Sequence, residues 1–179
     1  HHAELLITLL ARQILAGHGG GHYATRRQLT ERPRQIFLVL DYMVQAWSHC
    51  GVIDRDRIGI FGFSMGGFTA LAGIGGRPEV AGLLAQCLAL PQKPACQEMG
   101  GPGEIARKFG DTPLGIGPDP RLNAAFVAPP ALSALFLPDG LRDVGKPVEL
   151  WAAELDELMP VDPDVIVVRD GLPTAPVSH

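Results

Sequence analysis

The stretch RIGIFGFSMGGFTALAG, residues 57–73, limits what this chain can fold into more than any other part of it. An apolar run ends on a serine, and a second apolar run with helix-compatible residues follows at once. Gly62 stands two residues before Ser64 and Gly66 two after, so residues 62–66 read G-x-S-x-G. The pattern has mechanical meaning where a strand turns sharply into a helix. Ile58, Ile60 and Phe61 suit a strand covered on both faces, as in a parallel sheet. A strand is therefore expected over 57–63 and a helix over 65–74. In such a turn the serine takes a strained backbone conformation, and small neighbours let strand and helix approach. Its hydroxyl then projects beyond the strand's carboxyl end. The Met65 amide, at the helix start, is placed to donate to an oxyanion.

Helices and strands alternate through the rest of the chain. Leu5, Leu6, Leu9, Leu10 and Ile14 recur near helical spacing, which predicts an amphipathic helix over 3–12. QILAG (13–17) reads as a short strand. GHGGGHY (17–23) reads as loop, because so many glycines do not hold a regular element. The clearest helix is expected over 33–49, capped by Thr30 or Glu31, with Pro33 in its first turn and Gly51 ending it. Ile36, Val39, Leu40, Met43 and Trp47 line one face of it. Residues 75–120 predict an irregular, cap-like segment with one helix near 78–88. Strands follow over 122–127 and 148–152, with a short helix near Leu141 between them. A helix over 161–169 and a strand beginning at PVSH (176–179) complete the pattern. This alternation predicts one α/β domain over 1–179, with a mostly parallel sheet and helices on both faces.

Composition narrows the function classes. The 179 residues are 46% hydrophobic and 19% charged, a globular balance. No apolar run reaches the roughly 18 residues of a spanning helix, so no integral membrane segment is expected. A net charge of -4 argues against nucleic acid as a main partner. Cys50, Cys87 and Cys96 form no CxxC pair, which argues against a zinc site, and no metal or cofactor is expected. Cys87 and Cys96 flank LALPQKPA; the residues alone leave open whether they form a disulfide or stay reduced.

A serine hydroxyl is a poor nucleophile at neutral pH and needs a base, usually a histidine oriented by a carboxylate. In α/β-hydrolases the chain order is serine, acid, histidine. WAAELDELMP (151–160) places Glu154, Asp156 and Glu157 directly after a predicted strand, and Asp156 is the expected acid. His179 is the only histidine after it, and it falls within or before the last strand, so the working base is expected beyond residue 179. Phe63, beside the serine, is expected to touch substrate. His18, in the glycine-rich loop, is expected at the rim of the site. A dinucleotide reading of that loop would need its third glycine at His22, with a helix opening after it.

Taken together, RPRQIFLVLDYM, DRDRIGIFGFSMGGFTALAG, AQCLALPQKPACQ, DPRLNAAFVAPPA and KPVELWAAELDELMP resemble the predicted dienelactone hydrolase group of α/β-hydrolases. That group is similar to the plasma platelet-activating factor acetylhydrolases. The resemblance runs from about residue 3 to 179. It implies Ser64 as nucleophile, Asp156 as triad acid and the Met65 amide as one oxyanion donor. It implies that ARQILAGHGGGHY is a strand and a rim loop, with Gly17 and Gly19 replacing the usual acid and proline. It favours a Cys87–Cys96 disulfide, and it makes a periplasmic or secreted location compatible with the chain. It also implies that the first strands of the fold precede residue 1 and that the histidine-bearing segment follows residue 179.

The function expected on this reading is hydrolysis of a small carboxylic or short-chain lipid ester through an acyl-enzyme, with residues 75–120, LALP and Met99 lining the acyl pocket. The 179 residues by themselves are expected to be nearly inactive. The rival expectation is a non-catalytic α/β-hydrolase-like binding or interaction module, and a weaker one is nucleotide binding at residues 19–21.

Overall fold

The computed structural model describes residues 25–110, 112–173 and 177–178. The expected helix over 3–12, the strand at 13–17, the loop with His18 and the glycines at 19–21 lie outside them.

The chain enters on α1 (Arg26–Gln45). The start is fixed by Thr25, whose hydroxyl accepts from the Gln28 amide while the Gln28 side chain accepts from the Thr25 amide. This reciprocal box satisfies two donors that a helix start leaves open. The helix therefore begins well before the expected start at 33, and Pro33 lies inside it. Proline was expected in the first turn because its missing N–H costs nothing there. Here its buried ring is tolerated in the interior, and the Thr25 cap outweighs the break it would favour. The helix ends at Gln45 rather than near Gly51, and a 3-10 turn (Cys50–Val52) leads on.

Among the described residues four strands follow: β1 (Ile58–Ser64), β2 (Leu122–Pro130), β3 (Val148–Trp151) and β4 (Val177–Ser178). They lie in the order β1-β2-β3-β4, and every pair is parallel. The molecule is thus of the α/β class, with a parallel sheet. Register pairs Ile60 with Ala125 and Ala125 with Val148, while Val127 pairs with Leu150. These side chains share one face and are buried. Helices α2 (Met65–Ile74), α3 (Val80–Ala89), α4 (Pro94–Glu98), α5 (Gly101–Phe109), α6 (Pro138–Leu141) and α7 (Ile166–Gly171), with α1, all contribute to the core on that face. Phe68 and Phe136 are fully buried there, with ring centroids 5.4 Å apart. Each burial of that kind contributes roughly 1.5–3 kcal/mol.

The opposite face differs from expectation. Phe61, Phe126 and Trp151 form a row across three strands, with centroids 5.1 and 5.4 Å apart, yet none belongs to the core. Among the described residues, helices cover one face of the sheet rather than both. Phe61 is half-buried, not enclosed as Ile58 and Ile60 are.

Residues 75–120 are also more regular than expected. Beyond α3 they hold α4 and α5, both opened by proline within the first two helical positions. The density of Gly and Pro suggested loop, but these residues sit at helix starts. Cys87 and Cys96 are joined in a buried disulfide, and Cys50 is free.

At the base of the sheet, Asp119 receives the Arg121 amide at 3.0 Å, its Nε at 2.8 Å and its Nη2 at 2.5 Å. Arg121 Nη1 donates to Asp41 of α1 at 2.6 Å, and the Asp119 amide donates to Gly73 of α2 at 2.9 Å. The Arg121 hydrogen bonds hold the buried Asp119 carboxyl below the usual carboxylate range.

Candidate active site

Ser64 is the hinge between β1 and α2, with φ 55 and ψ -120. Few non-glycine residues adopt positive φ, and holding one there costs of order 1–3 kcal/mol. The surroundings over-determine it. A Cβ on Gly62 would lie 2.1 Å from the Gly66 carbonyl oxygen, so strand and helix meet backbone to backbone. A Cβ on Gly67 would lie 2.9 Å from the Ala128 oxygen and from Pro130 Cα, so α2 also presses on β2. The Ala131 amide donates to the Ser64 carbonyl at 2.9 Å and fixes the turn from the β2 side.

The glycine two residues after Ser64 was expected to relieve crowding, but a Cβ on Gly66 would meet nothing within 4 Å. Gly67 is the constrained one. The GG pair in the sequence carried that signal, although the five-residue motif counts only its first member.

Met65 opens α2, and the Ser64 side chain makes no capping bond to the helix start. The first amides of a helix have no intrahelical acceptor, so the elbow presents donors beside the Ser64 hydroxyl. Ser64 is half-buried. Phe63 is 57% exposed and falls on the side of Phe61 by strand alternation.

Asp156 lies in the loop after β3. Because β1, β2 and β3 run parallel in that order, the loop after β3 stands at the same sheet edge as Ser64, two strands away, or about 10 Å between strand axes. Its Oδ1 accepts from the Leu158 amide at 3.0 Å and the Met159 amide at 2.9 Å. Among the described residues these bonds reach Oδ1 only, leaving Oδ2 for a further donor. Glu154 and Glu157 flank it and are exposed.

His49 is the only histidine among the described residues. It precedes β1, with its ring Nδ1 2.9 Å from the Ser48 hydroxyl. β1 itself starts at the opposite edge of the sheet from Ser64, roughly 20 Å of strand away. His18 lies outside the described residues.

Residues 75–120, expected to shape the acyl pocket, line a cavity, but Met99 and LALP are not among its lining residues. Met99 is buried in the core at 2% exposure. That cavity of about 540 Å³ is lined by Arg77, Val80, Leu84, Pro113, Leu114 and Ile116, but it opens by the C-terminal end of α2, away from the Ser64 elbow. No group of His, Cys, Asp and Glu among the described residues has the placement to hold a metal ion. No described helix is long and apolar enough to cross a membrane.

Sheet and elbow define an α/β protein with a strained serine at the carboxyl edge of a parallel sheet. Comparison with protein-family models and with curated proteins finds no match to either.

Proposed function

We propose that this chain is an α/β-hydrolase-like serine esterase, with Ser64 as nucleophile and Asp156 as the acid that orients the base. The observation that carries the reading is the backbone of Ser64, held at φ 55 between a parallel strand and a helix start. Strain of this kind persists only where neighbours enforce it, and it presents the hydroxyl at the sheet edge.

The chemistry follows from the placement. Ser64 Oγ attacks the ester carbonyl carbon while a histidine outside the described residues takes its proton. Asp156 Oδ1 is held by two backbone amides, so Oδ2 accepts the imidazole N–H and stabilises the imidazolium that forms. The Met65 amide donates to the carbonyl oxygen as it gains charge, a contact worth about 3 kcal/mol in the transition state. The histidine returns the proton to the leaving alcohol, and water then cleaves the acyl-serine by the same path reversed. The substrate class is a small carboxylic or short-chain lipid ester.

Turnover of p-nitrophenyl acetate by the protein at its native length tests this. Hydrolysis that falls at least about a thousandfold in Ser64→Ala supports the reading. Equal hydrolysis by Ser64→Ala and the unaltered protein removes it.

A further inference from the structure

Lys93, Asp164 and Ser133 meet in a buried cluster that the proposed chemistry does not use. Lys93 Nζ lies 2.5 Å from both Asp164 oxygens, and their side chains are only 11% and 7% exposed. Ser133 Oγ donates to Asp164 Oδ1 at 3.0 Å, and Gln86 Nε2 approaches the same oxygen at 3.4 Å. The three principal partners come from separate segments. Lys93 lies in the span closed by the Cys87–Cys96 disulfide. Ser133 stands on the 3-10 turn after β2, two residues beyond the amide that holds the Ser64 carbonyl. Asp164 lies on the kinked turn (Val161–Val165) that follows the Asp156 loop.

We infer that this cluster positions the Asp156 loop at the sheet edge, with Lys93 and Asp164 as positioning residues. The inference rests on the esterase reading for its catalytic consequence only. The loop has little packing of its own, since Leu155 is 93% exposed and Leu158 is 64% exposed. Its internal bonds run from Asp156 to Ala153 and from Leu158 and Met159 back to Asp156, so they shape the loop without attaching it. One end is held by β3. The other runs through Pro160, whose carbonyl accepts the Asp164 amide at 3.2 Å, into the buried ion pair. An apolar set of the same volume stabilises a core as well as a buried ion pair does, but it does not fix direction as a doubly contacted carboxylate does.

The test is hydrogen exchange of the amides at 153–160 in the double variant Lys93→Met/Asp164→Leu, which leaves no unpaired buried charge. Exchange there should accelerate about tenfold or more, while β1 and α2 keep their protection. In the same variant, kcat for p-nitrophenyl acetate should fall roughly tenfold to a hundredfold with KM unchanged, because the acid is misplaced rather than the substrate. If the double variant fails to fold, Ser133→Ala should accelerate the same amides about threefold. Unchanged exchange at 153–160 in a folded variant overturns the inference. Accelerated exchange in a protein that hydrolyses no ester upholds the anchor and removes the esterase reading instead.

Discussion

The Cβ that Gly62 lacks would fall 2.1 Å from the carbonyl oxygen of Gly66. Both partners in that clash are backbone, so neither rotates away. Gly62→Ala must push β1 and α2 apart at the turn and is expected to destabilise the protein by about 3 kcal/mol. Gly66→Ala, which meets open space, should instead stabilise by roughly 0.5–1 kcal/mol through a stiffer unfolded chain and better helix propensity. Urea unfolding of the two variants checks the contrast. Similar losses in both would mean that the elbow is crowded around Gly66 as well.

Ser64 carries the strain of positive φ, and glycine does not. Ser64→Gly should therefore raise the unfolding free energy by about 1–2 kcal/mol while removing the hydroxyl. A gain in stability coupled to a loss of ester hydrolysis is the signature of strain kept for function. Calorimetric melting of the variant beside the unaltered protein measures it, and a lower melting temperature for Ser64→Gly would remove the strain argument.

Asp119 makes stability depend on acid. Its carboxyl titrates below its unfolded value of about 3.9 because Arg121 hydrogen bonds to it. The stabilisation is complete above that unfolded value and is lost as pH falls through the lower folded one. Asp119→Asn should cost about 2 kcal/mol at neutral pH and should flatten the loss of stability as pH falls below about 4. Urea midpoints across that range report both effects; a variant with an unchanged acid limb would contradict the assignment.

The strand–serine–helix order was legible because three local signals agree: an apolar run, G-x-S-x-G and a helix-compatible run. The loop that carries Asp156 was legible because a strand-like run over 148–152 gives way to a turn rich in carboxylates. Other features were hidden for physical reasons. Thr25 and Gln28 fix the start of α1 reciprocally, and Pro33, the louder local signal, pointed to a later start. The proline and glycines of 94–109 read as loop, although there they open helices. The Lys93–Asp164 pair spans 71 residues, a separation that no local pattern reveals. Pairing of Cys87 with Cys96 was left open by the residues, favoured by the resemblance and found in the structure.

The esterase proposal stands on Ser64 being an activated nucleophile. Incubation of the protein at its native length with a fluorophosphonate probe, followed by mass spectrometry of the labelled peptide, tests it most directly. One phosphonate adduct is expected, on Ser64, absent from Ser64→Ala and slowed about a hundredfold or more in Asp156→Asn. A folded protein that takes up no probe, or takes it up equally after Ser64→Ala, would contradict it.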